Sequence, residues 1–244
     1  MDFRLSPDQT AFQDAVRRFA EKELKAGARD RAHAKEYPWD VAKKMAAQGL
    51  LGITVKEADG GQGGTLMDAV IAIEAVAASC PRSADVVQAG NFGAIRVLAE
   101  YGTPAQKERF LKRLLAGEGV ISVGMTEPEA GSAVTDLKTT ATPDGAGYRI
   151  NGSKVFTTHA PYADVILAYV RFGPGVGGIG SVLIDTKSEG VKFGQHSAFM
   201  SGEEWAQIYF ENVYVPPEMV VLKEGGFKKQ IAGFNVERID RKST

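Results

Sequence analysis

Residues 124–141, GMTEPEAGSAVTDLKTTA, bring together side-chain types that suit a polar ligand. The segment follows the apolar run VISV and contains two glycines, a proline, a serine and several threonines. Glycines and short hydroxyl side chains allow backbone N–H groups to approach a ligand closely. We therefore predict that this loop binds a phosphate group or the polar edge of a heterocycle.

A second segment, KVFTTHAPYAD at residues 154–164, places hydroxyl groups on a predicted strand. If both segments lie side by side on one β-domain, Thr126, Ser132 and Thr158 offer short donors and acceptors to the same ligand. Each threonine taken alone is better explained as an ordinary strand residue. The combined pattern favours a ligand site.

Two glycine-rich segments match nucleotide-binding patterns only in part. GPGVGG at residues 173–178 fits G-x-G-x-x-G, but the strand pattern IGSVLIDT follows where that fingerprint requires a helix. GGQGG at residues 60–64 precedes a helix but lacks the lysine and hydroxyl residue of a P-loop. We predict a hairpin loop for the first segment and an interhelical connection for the second.

The remaining polar residues do not support metal or hydrolase chemistry. The three histidines lie in different segments without metal-ligand spacing: His33, His159 and His196. The sequence has no G-x-S-x-G motif to hold a nucleophilic serine. We therefore predict no metal site and no hydrolase activity.

Composition narrows the class of protein further. With 29 Lys and Arg against 30 Asp and Glu, the net charge of -1 lacks the basic excess of a nucleic-acid binder. The single cysteine, Cys80, excludes an intramolecular disulfide and favours a buried thiol in a reducing compartment. No segment has the apolar length of a signal region or a membrane helix. We expect a cytoplasmic protein without nucleic-acid or membrane partners.

The first half of the chain is predicted to be helical. Ser6-Pro7-Asp8-Gln9 has a serine N-cap, a proline at the first helical position and a glutamine at the third. Thr103-Pro104-Ala105-Gln106 repeats the pattern and predicts a helix that ends at Gly117. Further helices are predicted over residues 40–48 and 67–79.

After about residue 119, short runs of β-branched and aromatic residues replace the helical pattern. Strands are predicted at 148–150, 154–158, 165–172, 179–185 and 206–215. Asn151-Gly152, between two of these runs, predicts a hairpin turn. The strand spacing indicates a small antiparallel barrel or sandwich. From Gly226 the helical period returns.

These elements predict an α+β multidomain fold, with an N-terminal all-α helical domain followed by an antiparallel β-barrel domain. We assign residues 1–119 to the helical domain and residues 120–224 to the β-barrel domain. Residues 225–244 are assigned to the start of a truncated C-terminal helical domain.

The order of a helical domain, TEPEAGS and GSKVFTTHAPYAD resembles the acyl-CoA dehydrogenase flavoprotein family, whose motifs read T-E-P-x-A-G-S-D and G-x-K-x-W-I-T-N. The resemblance covers essentially the whole chain. It implies FAD as the cofactor and an acyl-CoA thioester as the substrate. It also implies N-terminal helical, middle β and C-terminal four-helix domains, of which this chain would hold the first two and the first turns of the third.

The motif positions imply three groups of ligand contacts. The pyrimidine edge of the flavin would meet Val123, Met125 and Thr126. The flavin ring would meet Phe156, Thr157 and Thr158, with Thr158 near the redox-active N5. The pyrophosphate and the CoA portion of the substrate would meet Gly131 and Ser132.

Several positions depart from the family motifs. Ala133 replaces the aspartate that follows Gly-Ser, His159 replaces asparagine, and Phe156 replaces tryptophan. Residues 201–205, SGEEW, lack the basic pattern that the family has on the CoA side. The loss of the carboxylate at position 133 implies that another group braces the loop.

The resemblance also implies a reaction, in which a carboxylate removes the α-proton of the thioester and the β-hydrogen passes to the flavin as hydride. The product is a trans-2-enoyl-CoA. A subset of the family, including isovaleryl-type and long-chain enzymes, carries the base in a stretch ending Glu-Arg on the helix that opens the C-terminal domain. FNVER at residues 234–238 matches this stretch, which assigns Glu237 as the base and Asn235 and Arg238 as substrate contacts. A solvated helix carboxylate is the alternative for Glu237.

Three functions are consistent with these residues. The first is an FAD-dependent acyl-CoA dehydrogenase that passes electrons to an electron-transfer flavoprotein or a similar acceptor. The second is a non-oxidative FAD-containing acyl-CoA lyase of the desulfinase type, and the third is a non-catalytic remnant. Phe227, Ile231 and Phe234 form an apolar stripe without a helix bundle to cover it, so we also expect a homo-oligomer.

Overall fold

A computed structural model describes residues 4–200, 202–223 and 225–237. Within it the chain divides into two compact units. The first unit is helical and contains the residues up to Phe92 together with 112–118 and 200–203. The second unit holds the β-sheet and contains 93–111, 119–199 and the residues from Glu204 onward.

Helices build most of the first unit. They are α1 (Pro7–Glu23), α2 (Ala28–His33), α3 (Trp39–Ala47), α4 (Leu66–Ala77) and α5 (Pro81–Ala89). The predicted capping box is present, because Gln9 N donates to Ser6 Oγ at 3.1 Å. Helix α4 packs against α1 and α5, and these helices contribute fully buried side chains at Ala20, Ala72 and Val87. The helical N-terminal part is confirmed.

The next helical stretch spans both units along the chain. It comprises α6 (Ala94–Tyr101), α7 (Pro104–Gln106), a π-helical turn (Lys107–Leu111) and α8 (Lys112–Leu115). Thr103 caps α7 as predicted, since Gln106 N donates to Thr103 Oγ1 at 3.2 Å. The Gln106 side chain donates to the carbonyls of Glu218 at 2.7 Å and Val220 at 3.0 Å. These bonds hold α7 against the C-terminal part of the sheet.

The second unit is built on one mixed sheet. Its strands are β1 (Ile121–Gly124), β2 (Thr140–Asp144), β3 (Gly147–Thr158), β4 (Val165–Arg171), β5 (Ile179–Asp185), β6 (Val191–Ala198), β7 (Glu204–Val215) and β8 (Val220–Leu222). The strand order is β6-β7-β3-β2-β4-β5-β8, and β1 also pairs with β4. Residues 165–170 of β4 are completely buried and form the centre of the core. The segment GPGVGG joins β4 to β5, which confirms the predicted hairpin loop.

The sheet differs from the expected antiparallel barrel in two respects. Strand β4 pairs in parallel with β1, and its end also pairs in parallel with β2 at Thr140. Strand β3 runs opposite to β2 in their hairpin, and the chain reverses again before β4. Strand β4 therefore runs in the same direction as β1 and β2. Among the described residues, no strand pairing joins β6 to β8, so a β-sheet domain is confirmed but a closed barrel is not found.

The predicted hairpin turn at Asn151-Gly152 is wrong. Strand β3 runs through both residues, and the turn lies instead at Gly145, which has a φ of 58°. A Cβ at Gly152 would lie 2.5 Å from Thr139 Oγ1. Position 152 therefore requires glycine because of the close approach of Thr139, at a β-bulge where the register between β3 and β7 shifts.

The last helix, α9 (Gly226–Glu237), packs on the sheet of its own unit. Phe227 is only 5% exposed and meets Tyr169 edge to face, with ring centroids 6.3 Å apart. The Gln230 side chain donates to Ser181 Oγ, and Tyr101 Oη donates to the carbonyl of Lys229 at 3.1 Å. The expectation of an uncovered stripe is thus wrong at Phe227, because the sheet covers it.

Cys80 is fully buried, as expected, and Ser83 Oγ donates to its sulfur at 3.0 Å. Across residues 4–200, 202–223 and 225–237, no helix has both the length and the apolar character needed to cross a bilayer. In the same residues, no group of three or more His, Cys, Asp or Glu side chains is arranged to hold a metal ion.

Candidate functional site

The loop that leaves β1 is fastened to β3 by its backbone. Val123 lies in β1 and is half-buried, as are Met125 and Thr126 just beyond it. The carbonyl of Met125 accepts from Lys154 Nζ at 3.3 Å, and the carbonyl of Thr126 accepts from Val155 N at 2.9 Å. The structure therefore brings the two predicted ligand-binding segments together.

A β-bulge in β3 turns Phe156 outward. Lys154 pairs with Ile208 and Thr157 pairs with Ala206, so β3 has one more residue than β7 in this interval. Phe156 adopts a φ of 53°, which a bulky residue rarely adopts, and 57% of the residue is exposed. An exposed aromatic ring held by strained backbone is typical of a functional site.

Trp205 forms a second aromatic ring beside Phe156. The ring centroids are 4.8 Å apart and the planes are tilted by 58°. Trp205 lies opposite Thr158 in the β3–β7 ladder, so the sheet itself places it there. Trp205 was not among the predicted site residues; the alternation of side chains along β7 is the signal that could have placed it at the site.

The residues after Phe156 have different environments. Thr157 is fully buried, and its Oγ1 has no hydrogen-bond partner among the described residues. Thr158 is half-buried at the end of β3. His159 has a left-handed φ of 61°, and its N donates to the carbonyl of Glu204 at 2.8 Å. Asparagine and histidine both tolerate this backbone conformation better than most residues, which explains why one replaces the other at position 159.

The outer part of the β1 loop is exposed and small. Gly131, Ser132 and Ala133 are all exposed, and a Cβ at Gly131 would meet nothing within 4 Å. This geometry leaves space for a ligand to approach the loop backbone.

Arg171 of β4 braces this loop. Its guanidinium donates to the carbonyls of Thr135 at 2.7 Å, Leu137 at 3.0 Å and Gly175 at 2.7 Å. One planar cation thus joins the end of the β1 loop to the β4–β5 hairpin loop. Arg171 thus braces the loop in which Ala133 stands where the family motif has aspartate. It was not among the predicted site residues.

A buried ion pair also lies between the two segments and was missed. Glu127 Oε1 and Lys154 Nζ are 2.7 Å apart, and the side chains are 7% and 0% exposed. Burial alone would raise the pKa of Glu127, but Lys154 and the donors of Thr139 and Lys138 outweigh it and hold that pKa below its ordinary value. The signal was a glutamate in each of positions 127 and 129 of the first motif and a lysine at position 154 of the second, which offered an ion pair between the two segments.

The predicted base and the predicted substrate contacts fall at or beyond the end of the described residues. Asn235 and Glu237 belong to α9, whose described side chains end at Ile231. Arg238 lies outside the described residues. Their roles stay predictions.

The described residues thus form a helical unit and a second unit, whose mixed sheet carries an exposed aromatic ring beside a small-residue loop. Residues 6–118 match the model of the acyl-CoA dehydrogenase N-terminal domain, and residues 122–213 match that of the acyl-CoA dehydrogenase middle domain. The chain belongs to the acyl-CoA dehydrogenase family.

Individual relatives agree with this assignment. The short-chain specific acyl-CoA dehydrogenase of Clostridium acetobutylicum is 32% identical over 229 residues, which are 92% of this chain and 60% of the relative. The butyryl-CoA dehydrogenase structure from Megasphaera elsdenii has a TM-score of 0.86 at 28% identity, over 98% of this chain and 65% of that one. The FAD complex of PigA has a TM-score of 0.89 at 28% identity, over 98% and 64%. The chain thus spans about three fifths of the length of the curated relatives it matches.

Proposed function

We propose that this chain binds FAD between the β1 loop and the bulge of β3 and acts in the α,β-dehydrogenation of an acyl-CoA thioester. The observation that carries the proposal is Phe156, an exposed ring on strained backbone directly beside the loop of Met125 and Thr126. Family membership and the FAD complex of a similar structure support the same cofactor.

The described residues fit the parts of FAD. The ring of Phe156 offers an apolar surface for the isoalloxazine, and the Thr158 hydroxyl lies two residues further along the same strand. Val123, Met125 and the Thr126 hydroxyl serve the polar pyrimidine edge, while Thr157 Oγ1 is a buried hydroxyl without a described partner. The outer loop at Gly131 and Ser132 has the open backbone that suits pyrophosphate and CoA.

FAD, when bound, supplies an acceptor for the hydride that leaves the β-carbon of the substrate. Glu237 takes the α-proton, so a proton and a hydride leave the substrate and a C=C bond forms. Asn235 and Arg238 contact the substrate next to this base. The chain must also hold the thioester carbonyl with hydrogen-bond donors, because negative charge develops on its oxygen as the α-proton leaves.

The same proposal assigns the partners. The substrate is an acyl-CoA, and an electron-transfer flavoprotein or a similar acceptor reoxidises the cofactor. The protein is cytoplasmic, since a single buried thiol at Cys80 suits a reducing compartment. It is also a homo-oligomer. Light scattering that gives a monodisperse monomer would contradict the oligomer.

The first test is the visible absorption spectrum of the desalted 244-residue chain, with and without added FAD. Retained flavin bands support the cofactor site, and bleaching by an acyl-CoA under anaerobic conditions then tests the reaction. A colourless chain that FAD does not reconstitute overturns the proposal for this chain. Turnover of an acyl-CoA without any electron acceptor would instead indicate a non-oxidative lyase.

The role of Glu237 is tested by Glu237→Gln, which keeps the shape of the side chain and removes the base. Bleaching should fall by at least about a hundredfold, the usual contribution of a general base. Glu218→Gln, an exposed carboxylate change in the same unit, is the matched control and should bleach at the wild-type rate. Wild-type bleaching by Glu237→Gln would place the base elsewhere.

A further inference from the structure

The buried pair of Glu127 and Lys154 lies behind both halves of the proposed flavin site. Glu127 directly follows Thr126 in the β1 loop, and Lys154 precedes Phe156 by two residues in β3. Both side chains are buried, since Lys154 is 0% exposed and Glu127 is 7% exposed. The pair therefore touches the elements of the site from the core.

Glu127 is held by donors on both of its oxygens. Oε1 accepts from Lys154 Nζ at 2.7 Å and from Thr139 N and Oγ1 at 3.0 and 2.6 Å. Oε2 accepts from Lys138 N at 2.6 Å. A buried carboxylate with this many donors has one favoured position, so it fixes where the loop begins and where it ends.

Lys154 in turn fixes the backbone at the flavin edge. Its Nζ donates to the carbonyl of Met125, and the next residue, Val155, donates to the carbonyl of Thr126. The stem of Lys154 has room because position 124 is glycine, where a Cβ would lie 3.3 Å from Lys154 Cγ and 3.1 Å from Ile166 Cγ2. Sequence and packing thus both accommodate a buried lysine at this point.

We propose that the Glu127–Lys154 pair is the positioning device of the flavin site, fixing the Met125–Thr126 edge against the bulge that presents Phe156. The inference rests on the proposed function, and neither residue contacts the cofactor. Buried ion pairs are weak sources of stability and can often be replaced by apolar side chains. The role we assign to this pair is therefore the geometry it imposes.

The pair also makes this geometry dependent on pH. Burial lowers the pKa of Lys154 to about 8, although Glu127 opposes the shift. Glu127 is the charged group that acts on Lys154, and Glu127 also accepts from Lys138 N. The Lys138 ammonium interacts with Glu129 and Asp136 of the same loop, and Tyr209 of β7 lines the same cavity as Glu127. When Lys154 loses its proton, Glu127 loses its buried counter-charge and the loop is held less firmly.

The affinity for FAD, measured by quenching of flavin fluorescence between about pH 6.5 and 9.5, tests the inference. The wild-type affinity should fall above about pH 8, in step with the pKa of Lys154. Lys154→Met should weaken binding at pH 7 by about tenfold or more and remove this pH dependence. Lys192→Met is the matched control, because Lys192 forms an exposed pair with Glu211 on the same sheet, and it should change neither quantity. Wild-type affinity and pH dependence in Lys154→Met would overturn the inference.

Two further measurements separate position from stability and from the proposed function. The double variant Glu127→Gln/Lys154→Met leaves no unpaired charge and should fold, yet it should still bind FAD more weakly than the wild type. Hydrogen exchange of the FAD-free chain should show faster exchange of the Val155 amide in Lys154→Met than in Lys192→Met. Equal exchange overturns the positioning role. A wild-type chain that binds no FAD at any pH refutes the proposed function and leaves the exchange result to decide the role of the pair.

Discussion

Phe156→Gly distinguishes a ligand-contacting ring from a structural one. The φ of 53° at Phe156 stores roughly 1–2 kcal/mol in a non-glycine residue, which glycine releases. Phe156 is 57% exposed, so the remaining 43% of a side chain of about 200 Å², or about 90 Å², is buried. Losing this buried area should cost about 2 kcal/mol of unfolding free energy. Contact with the Trp205 ring adds about 1 kcal/mol. The net loss of unfolding free energy should therefore be only about 1–2 kcal/mol.

Binding of FAD should respond far more strongly than stability. We expect Phe156→Gly to weaken FAD binding by about tenfold or more, because the ring that faces the ligand is gone. Urea unfolding monitored by circular dichroism gives the stability, and flavin fluorescence gives the affinity. Phe227→Ala provides the stability contrast, since Phe227 is 5% exposed and its loss should cost about 3–5 kcal/mol.

A second control removes the same kind of ring from another exposed position on the sheet. Phe193 is also exposed, at 39%, but it lies on β6, which β7 separates from β3, so Phe193→Ala should leave FAD affinity unchanged. The reasoning is refuted if Phe156→Gly loses as much stability as Phe227→Ala, or if it binds FAD as well as Phe193→Ala does.

Further predictions concern the residues that brace the site. Arg171→Lys should lower the free energy of unfolding by about 2 kcal/mol, measured in urea, because one ammonium group cannot reach three carbonyls arranged around a planar guanidinium. Gly152→Ala should cost about 2–3 kcal/mol in the same assay, since its Cβ would lie 2.5 Å from Thr139 Oγ1. The pKa of Lys154 is lowered from 10.5 to about 8, so between these pH values the unfolded chain binds more protons than the folded chain. The free energy of unfolding should therefore rise with pH in this range, and a flat profile would contradict this.

Local signals in the sequence predicted local structure well. Ser6 and Thr103 were assigned as caps from the residues that follow them, and both cap helices in the structure. The G-x-K and T-E-P segments were assigned to one site from their residue types alone, and hydrogen bonds between Thr126 and Val155 and between Met125 and Lys154 join them. Capping and turn chemistry depend on residues three or four apart, which a single sequence contains.

Features that depend on distant residues were not predictable in the same way. Asn151-Gly152 has the composition of a turn, but the approach of Thr139 decides its structure. The positive φ of Phe156 follows from a register shift against β7, which no local pattern encodes. The partners of Arg171 are carbonyls, which carry no sequence signature.

The parallel pairing of β1 with β4 has a consequence for how the site forms in time. Ile121 pairs with Val165, so the chain between them must close a long loop before this ladder exists. The β2–β3 hairpin lies inside that loop and contains only local contacts, so it can form early, whereas the long-range pairing is slow. The Met125–Thr126 edge reaches its place only after this late step. FAD should therefore slow unfolding but leave the refolding rate of the sheet unchanged, as stopped-flow Trp fluorescence with and without the cofactor would measure.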